Sequence, residues 1–332
     1  MIERELVMDE LLKISNLSVE YRSGGKVAKA VNNLNLTIKK GQAMGLVGES
    51  GAGKTTTALS VMGLLPENIG MITEGDITYN GESLIQMKEK QKNNIRGKKI
   101  SMVFANPLSS LNPVFTIGHQ ITMVLRKHKN LSEKDAKKEA AEILKLVGIP
   151  DYRMGDYPHQ FSGGMRQRVG IAAALACSPE LLIADEPTTA LDVTIQAQIL
   201  ELMKDLQKNL NSSLLMITHN LGIIAELCQT VAVMYGGEVV EYGSVQEVFE
   251  HPSHWYTIGL LNAVPKLAGE RQRLISIPGN VANAQMLPEG CKFHPRCSRC
   301  IEKCKAKRPD MICLNEKHYV QCWEAGGRNG EQ

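Results

Sequence analysis

Hydrophobic and polar residues alternate near the start of the chain. Apolar and polar side chains alternate through residues 12–21 and 31–38, with breaks in the period at Asn16 and Asn33, and Ser23-Gly24-Gly25 lies between the two segments. A period of two with a glycine turn is typical of antiparallel strands. Residues 77–79, followed by Asn80-Gly81, predict a further strand and tight turn. The N-terminal region is therefore predicted to contain an antiparallel β-sheet.

Farther along the chain the apolar pattern changes. Short, mainly apolar runs, which predict buried strands, lie at residues 43–47, 100–104, 181–185 and 214–217. Helix-compatible segments lie at residues 56–65, 131–147 and 169–176. Ser132 is a typical N-cap for the second of these helices, and Gly148 is a typical stop. The alternation predicts an α/β fold in which residues 107–160 form a helical insertion.

Composition limits the classes of protein to consider. The chain has 332 residues, of which 43% are hydrophobic and 22% charged, as in a globular protein of one large or two smaller domains. The net charge is only +3, so nothing global predicts binding to nucleic acid. No apolar run approaches the ~18 residues that span a bilayer, and Met1-Ile2-Glu3-Arg4-Glu5 does not resemble the start of a signal peptide. We therefore expect a cytosolic chain that reaches a membrane only through a partner.

A glycine-rich loop, Gly48-Glu49-Ser50-Gly51-Ala52-Gly53-Lys54-Thr55, joins the first apolar run to a helix-compatible segment. This pattern and context predict a phosphate-binding loop, in which backbone N–H groups and the helix dipole face the phosphates. Lys54 is predicted to contact the terminal phosphates, and the Thr55 hydroxyl to bind Mg²⁺. The predicted nucleotide-binding residues of this region are Gly48, Ser50, Gly51, Ala52, Gly53, Lys54, Thr55 and Thr56.

A second anion site is predicted where Ser162-Gly163-Gly164 opens a helix. Ser162 is a good N-cap, and the two glycines leave backbone N–H groups exposed at the helix N-terminus. Downstream, the apolar strand at 181–185 ends in Asp185-Glu186. Carboxylates at a strand end of a phosphate-loop fold are suited to holding Mg²⁺, here Asp185, and to activating water, here Glu186.

Two aromatic or imidazole side chains have both an ordinary and a functional interpretation. His219 follows the strand at 214–217, where it is either structural or within reach of the terminal phosphate. Tyr21 ends the first predicted strand, where it is either a half-buried strand residue or a platform that stacks on the nucleotide base. Position alone does not decide between these interpretations.

The cysteines are concentrated in the C-terminal region. Six of the eight lie between Cys291 and Cys322, and a reducing compartment favours metal binding over disulfides. The spacing Cys297-x2-Cys300 is compatible with zinc and with an iron–sulfur cluster, and reduced thiols without a metal are the third possibility. Cys177 and Cys228 lie in apolar segments and are predicted to be buried small hydrophobes.

Five motifs in a fixed order carry a family resemblance. They are the phosphate loop, Ser162-Gly163-Gly164, Asp185-Glu186, Ala190-Leu191-Asp192 and Thr218-His219. This order resembles the nucleotide-binding subunit of an ABC transporter over residues 11–249. Residues 158–168, 185–194 and 251–257 resemble the branch that imports di- and oligopeptides, whose relatives import nickel complexes.

The resemblance implies a phosphate-loop (RecA-like) ATPase core with an antiparallel β subdomain, an α-helical subdomain and a small Cys-rich extension. The ATPase domain would cover residues 1–250, with the helical subdomain at 107–160, and the extension would cover residues 251–332. Two such subunits close head to tail in this family, with ATP between the phosphate loop of one and the signature of the other. Ser162, Gly163 and Gly164 would then act on ATP held by a partner chain.

The same resemblance implies roles for single residues. Asp192 would couple the two ATP sites, His219 would position the terminal phosphate, and Tyr21 would stack on the base. Many members of the branch have cysteines at the positions listed next and are thought to hold a [4Fe-4S] cluster, which favours that cofactor over zinc. The cysteines at those positions are Cys291, Cys297, Cys304 and Cys322.

One departure from the family pattern affects catalysis. The family usually has Gln where this chain has Ala105, and that Gln contacts Mg²⁺ and the attacking water. Ala105 has no side-chain oxygen, so we expect slower hydrolysis or weaker coupling, unless neighbouring Asn106 substitutes.

The resemblance also implies partners. These are two transmembrane permease subunits, a second ATPase subunit that is a sibling rather than a copy, and an extracytoplasmic substrate-binding protein. The chain would lie at the cytoplasmic face of the cell membrane, with the helical insertion as its docking surface and no nucleic acid partner. Alternative functions are import of nickel complexes by the same family and a soluble ABC-type ATPase acting on DNA. A small-molecule kinase would explain the phosphate loop but not the signature, Asp192 or His219.

Overall fold

Strands and helices alternate through the computed structural model, which describes residues 9–106, 110–188, 193–210, 212–264 and 276–325. The strands are β1 (Glu10–Ser23), β2 (Lys26–Lys39), β3 (Ala43–Val47), β4 (Gly70–Tyr79), β5 (Glu82–Ser83), β6 (Ile100–Val103), β7 (Leu181–Asp185), β8 (Ser213–Thr218), β9 (Thr230–Tyr235), β10 (Glu238–Ser244), β11 (Ile312–Asn315) and β12 (His318–Val320). The helices are α1 (Lys54–Met62), α2 (Glu89–Ile95), α3 (Ile117–Lys129), α4 (Glu133–Leu146), α5 (Gly163–Leu175), α6 (Val193–Leu210), α7 (Leu221–Leu227), α8 (Val245–Glu250), α9 (Trp255–Asn262) and α10 (Glu302–Ala306).

The chain divides into two compact units. The first contains Ile38–Ala43 and Gln86–Ile217, with the described residues before Leu11. The second contains Leu11–Thr37, Met44–Ile85 and the described residues from Thr218 onwards. The predicted domain boundary between residues 250 and 251 stays a prediction.

The first unit contains a parallel arrangement of β6, β7 and β8. β7 pairs with β6 on one side and with β8 on the other, both in parallel register. All three strands are fully buried, as their mainly apolar sequences predict. The insertion predicted at residues 107–160 contains α3 and α4, which pack against each other and against α5; residues 107–109 lie outside the described residues.

The second unit contains an antiparallel sheet in the strand order β2-β1-β4-β5. The pairing of β1 with β4 confirms the predicted N-terminal antiparallel sheet. In the same unit β3 pairs with β9 in parallel, and β9, β10, β12 and β11 follow in antiparallel order. The C-terminal hairpin of β11 and β12 therefore extends the sheet edge formed by β10.

Local sequence signals explain most element ends. Ser132 caps α4 by accepting a hydrogen bond from the Asp135 N–H at 3.2 Å, and Gly148 follows with a positive φ of 72°. Helix α1 ends at Met62 and not at residue 65, because Gly63 adopts a left-handed conformation and caps it. β4 begins at Gly70, well before the predicted residue 77, because its whole length pairs with β1. Thus long-range pairing lengthens a strand whose outer half lacks apolar alternation.

Candidate nucleotide site and cysteine cavity

The glycine-rich loop connects β3 to α1 in the second unit. Gly48 has a φ of 154°, and a Cβ there would lie 2.3 Å from the carbonyl oxygen of Met234. Gly53 has a φ of 105°, and a Cβ there would lie 2.4 Å from the carbonyl oxygen of Ala30. Any side chain at either position would push against backbone, so both glycines are required by the shape of the loop.

Lys54 begins α1 and folds back across the loop. Its side chain is 5% exposed, and its Nζ donates hydrogen bonds to the carbonyl oxygens of Gly48 at 2.7 Å and Glu49 at 3.0 Å. The ammonium group is thus held over the loop as a point charge. The next residue, Thr55, is exposed in the first turn of α1. This arrangement provides N–H groups, a cation and a hydroxyl in one short segment, as an anion site needs.

Tyr21 lies near the end of β1 and contacts the helix that follows the loop. Its hydroxyl donates a hydrogen bond to Oγ1 of Thr56 at 3.2 Å. The structure therefore brings the predicted base-stacking residue together with a predicted nucleotide-binding residue. Its stacking role stays a prediction.

The loop has two further partners that the sequence did not reveal. The N–H of Glu49 donates to the Tyr256 hydroxyl at 2.8 Å, and the Glu49 carboxylate accepts from Nη1 and Nη2 of Arg296 at 2.6 and 3.1 Å. Tyr256 and Arg296 lie 207 and 247 positions from Glu49 along the chain. No local pattern predicts a pairing over such a separation.

The predicted second anion site lies in the first unit, at the start of α5. Ser162 is the N-cap, as predicted, and its Oγ accepts a hydrogen bond from the Met165 N–H at 3.4 Å. Ser162 and Gly163 are exposed. A Cβ at Gly164 would lie 2.8 Å from Cγ2 of Ile195, whereas a Cβ at Gly163 would have no described residue within 4 Å. Packing within the described part of the chain thus explains why position 164 is glycine, but it does not explain the glycine at position 163.

The two carboxylates also lie in the first unit. Asp185 is the last residue of β7 and is 4% exposed. Glu186 has a positive φ of 45°, which is uncommon for a residue with a side chain, and its N–H donates to the carbonyl oxygen of Ile217 at 2.8 Å. β6 ends at Val103, which pairs with Ala184 in the parallel β6–β7 register. Ala105 and Glu186 therefore follow the carboxyl ends of two adjacent strands at the same edge of the sheet.

His219 follows directly after β8 and is exposed in the second unit. The next turn is organised locally, because the Thr218 hydroxyl accepts from the Asn220 N–H at 3.0 Å and Asn220 caps α7. Asp192, predicted to couple two ATP sites, lies outside the described residues.

Four of the six clustered cysteines line one cavity in the second unit. The cavity is bounded by Cys291, Cys297, Cys304 and Cys322, with His254, Trp255 and Phe293 among its other walls. Cys300 and Cys313 do not line it; the Cys313 thiol is exposed and donates to the Asn315 carbonyl oxygen at 3.1 Å. All eight cysteines are free thiols. The four that line the cavity are the four implied by the family resemblance.

Two of the thiols that line this cavity have raised pKa values. Burial raises the pKa of Cys291 to about 12 and that of Cys297 to about 11. The thiols of Cys304 and Cys322 contribute to both increases, so they lie near enough to interact. Among the residues that the structure describes, no group of three or more His, Cys, Asp or Glu side chains is placed to hold a metal ion. Four cysteine thiols are therefore a suitable set of ligands for a metal cluster, but their side chains are not arranged to hold a metal ion.

The two cysteines outside the cluster are packed as predicted. Cys177 and Cys228 are both buried. Burial raises the pKa of the Cys228 thiol to about 12, which keeps it neutral. Both side chains act as small hydrophobes.

Two family models match separate parts of the chain. Residues 31–189 match the ABC transporter family, and residues 240–304 match the oligopeptide/dipeptide transporter C-terminal region. The chain is 46% identical over 318 residues to the oligopeptide transport ATP-binding protein OppD of Haemophilus influenzae, covering 95% of this chain and 98% of that protein. It is 46% identical over 327 residues to AppD of Bacillus subtilis, covering 98% and 100%. The chain belongs to the ABC transporter ATP-binding family.

Solved ABC cassettes share the fold. The dimeric ATP-binding cassette MJ0796 in a post-hydrolysis state, bound to ADP and Pi, superposes with a TM-score of 0.65 at 29% identity, covering 71% of this chain and 99% of that one. The cassette cbiO1 of Clostridium perfringens superposes with a TM-score of 0.62 at 28% identity, covering 73% and 92%. The predicted α/β ATPase fold is confirmed, and this ABC protein is an ATPase.

In the part of the chain that the structure describes, no helix is both long enough and apolar enough to cross a bilayer.

Proposed function

We propose that this chain is the ATP-binding and ATP-hydrolysing subunit that powers import of di- and oligopeptides across the cytoplasmic membrane. The observation that carries the proposal is near full-length similarity to proteins named as oligopeptide transport ATP-binding proteins, including their C-terminal region. The cargo itself is selected by the membrane and extracytoplasmic binding subunits.

ATP binds at the glycine-rich loop. The loop from Gly48 to Gly53 supplies backbone N–H groups, and Lys54 turns from the loop carbonyls towards the terminal phosphates. Tyr21 stacks on the base. Thr55 and Asp185 supply the oxygen ligands for Mg²⁺. When bound, this ion neutralises charge that develops on the phosphate oxygens.

The signature at the start of α5 acts on ATP held by a second ATPase subunit. Gly163 supports this role, because it begins α5 and leaves its backbone N–H open to an anion. Among the described residues, none lies within 4 Å of a Cβ placed at Gly163. A phosphate group approaching from a partner would need that space. Asp192 couples the two sites.

Glu186 activates the attacking water, and His219 positions the terminal phosphate. The positive φ of Glu186 supports this assignment, since strained backbone conformations in a folded protein cluster at functional sites.

The helical insertion docks on the membrane subunits. A cavity of about 520 Å³ runs along α3 and is lined by His119, Met123, Arg126 and Glu133 among others. Met123 is 47% exposed, so the cavity offers apolar surface between charged side chains. Such a mixed groove fits a short amphipathic helix of a permease.

The assembly contains two permeases, a sibling ATPase and an extracytoplasmic substrate-binding protein, and it holds this chain at the cytoplasmic face. The proposal is tested by anaerobic purification of the tagged chain from solubilised membranes, with mass spectrometry of the proteins that accompany it. Recovery of two polytopic proteins and a second ATPase is expected. Recovery of DNA or of soluble partners alone would contradict the proposal and favour a DNA-acting ATPase.

Restoring glutamine at position 105 should accelerate hydrolysis. The Ala105→Gln variant in the assembled complex is expected to release phosphate about tenfold faster, because a positioned water-orienting group contributes at least that much. Ala105→Met, which matches the length without the polar end, is the control and should not accelerate release. An unchanged rate in Ala105→Gln would refute the impairment; a loss of rate in Asn106→Ala would then show that Asn106 substitutes.

We further propose that Cys291, Cys297, Cys304 and Cys322 hold a [4Fe-4S] cluster with a structural role. Their shared cavity supports this assignment, and four thiolates are the usual ligand set of such a cluster. Binding requires the four thiols to converge and lose their protons.

The cluster assignment predicts the metal content of the anaerobically purified chain. The wild-type chain should contain iron and acid-labile sulfide in equal amounts. Replacing any cavity cysteine by serine should remove most of both, whereas the exposed control Cys313→Ser should retain them. Zinc without sulfide, or no metal at all, would contradict the cluster.

A further inference from the structure

The segment between Cys291 and Cys297 contacts the phosphate loop through one arginine. Arg296 ends the short turn His294–Arg296 and is 8% exposed. Its two terminal nitrogens bind the two carboxylate oxygens of Glu49 at 2.6 and 3.1 Å. A bidentate pair of this kind is stronger and more specific in geometry than a single charged hydrogen bond.

The guanidinium of Arg296 is itself held in position. Its Nε donates to the carbonyl oxygen of Pro278 at 2.9 Å, and Nη2 donates to that of Ile277 at 3.3 Å. Nη1 also lies 3.4 Å from the Tyr235 hydroxyl. Because these contacts fix the planar fork before it meets Glu49, the pair loses little entropy on forming, unlike an exposed ion pair.

On the loop side, Glu49 is held at three points. Its carboxylate binds Arg296, its N–H donates to the Tyr256 hydroxyl, and its carbonyl oxygen accepts from Lys54. A rotation of Glu49 would therefore disturb the residue whose charge faces the phosphates. Arg296 reaches the nucleotide indirectly, through Glu49 and Lys54.

The pairing of Arg296 with Glu49 also changes the charge that the loop presents to ATP. A carboxylate within an anion-binding loop repels the phosphates of ATP, and the repulsion is strong where the local dielectric constant is low. Glu49 is only 27% exposed at its side chain, so water screens it poorly. Pairing with Arg296 neutralises this carboxylate.

Arg296 is also connected to the cysteine cavity through packed aromatic side chains. Phe293, which lines the cavity, packs against Tyr235 and Tyr256 with ring centroids 5.2 and 5.4 Å apart. Tyr235 and Tyr256 are the residues that contact Arg296 and Glu49. One packed cluster thus connects the cavity walls to the phosphate loop.

We propose that Arg296 is a positioning residue through which the cysteine-bearing segment sets the affinity of the phosphate loop for ATP. This inference rests on the proposed nucleotide role of the loop. With Arg296 in place the loop is held ready for the phosphates. When the segment around the cavity loosens, Glu49 is released, its charge is unpaired and ATP binds more weakly.

The test measures the Kd of the complete chain for a fluorescent ATP analogue and the KM and kcat of the assembled complex. Arg296→Met should raise Kd and KM about tenfold and leave kcat at saturating ATP little changed, since no group that touches ATP is removed. Adding Glu49→Gln to this variant removes the unpaired charge, so part of the affinity should return. A further loss in the double variant would overturn the proposal.

Lys305→Met is the matched control. Lys305 lies in the same C-terminal region, and its Nζ pairs with Oε1 of Glu302 at 2.6 Å in an exposed ion pair. This variant loses the same charge and an ion pair that does not involve the loop, so its Kd should equal that of the wild type. An equal loss of affinity in Arg296→Met and Lys305→Met, or no loss in Arg296→Met, would overturn the proposal. Lys54→Ala distinguishes a failure of the Arg296 proposal from a failure of the proposed ATP site. If Lys54→Ala did not weaken ATP binding, the nucleotide role of the loop itself would be refuted.

A double-mutant cycle tests the connection to the cavity. Cys322 lines the cavity far from Arg296 in sequence, so Cys322→Ser disturbs the walls without touching the loop. It should raise Kd a few-fold in the wild-type background and should have no further effect in Arg296→Met, since coupled residues are non-additive. Additive effects would overturn the coupling.

Discussion

Replacing Lys54 by alanine should abolish ATP binding at concentrations that saturate the wild-type protein. The Nζ of Lys54 already spans the loop through the carbonyl oxygens of Gly48 and Glu49, so the substitution removes both the phosphate-facing cation and a brace of the loop. We expect the Kd for ATP to rise at least about 100-fold, equivalent to about 2.7 kcal/mol. Equilibrium binding of a fluorescent ATP analogue measures the change.

The control for this variant is Lys26→Ala. Lys26 is an exposed lysine at the start of β2, so the change in net charge is the same. Its Kd should match that of the wild type. If Lys54→Ala retained wild-type affinity, the loop at residues 48–55 would not be the ATP site.

Replacing Glu186 by glutamine should stop hydrolysis and spare ATP binding. Glutamine has the same size as glutamate but cannot accept a proton from water, and it places no new atoms against the strained backbone at this position. Loss of a general base costs about 10²- to 10⁴-fold in rate. Phosphate release by the assembled complex at saturating ATP measures the rate, and analogue binding measures the affinity.

Glu180→Gln serves as the matched control for this prediction. Glu180 directly precedes β7, at the end of the strand opposite Glu186, and its carboxylate pairs with Lys99 at the surface. The Glu180→Gln variant therefore loses the same charge at a position away from Glu186. Its hydrolysis rate should stay at the wild-type level. A wild-type rate in Glu186→Gln would exclude Glu186 as the base and leave His219 as the residue to test next.

Residues whose roles depend on near neighbours were predictable. The Ser162 and Ser132 caps are confirmed because N-capping depends on a few adjacent residues. The buried strands β7 and β8 are confirmed because their apolar runs are short and continuous. The positions of the motifs followed from these same local signals.

Contacts between distant parts of the chain were not predictable. The pairing of Arg296 with Glu49 joins residues 247 positions apart, and neither residue carries a local signature. The C-terminal hairpin was also missed, since β11 is exposed throughout and exists through its pairing with β12. Such elements depend on tertiary contacts more than on their own propensity.

The choice of four cysteines illustrates the same limit. Spacing alone permitted several sets, because Cys300 lies close to Cys297 and Cys304 in sequence. The family resemblance implied Cys291, Cys297, Cys304 and Cys322, and the fold places these four at the walls of one cavity, with Cys300 and Cys313 outside its walls. A ligand set that draws on residues far apart in sequence is fixed by the path of the chain.

The most direct test of the central claim is uptake of a labelled oligopeptide by cells that lack this chain. The account predicts that uptake is lost, that the wild-type chain restores it, and that neither Lys54→Ala nor Glu186→Gln does so. Peptide uptake that persists without the chain, together with lost uptake of nickel complexes, would contradict the account and assign the ATPase to a different cargo.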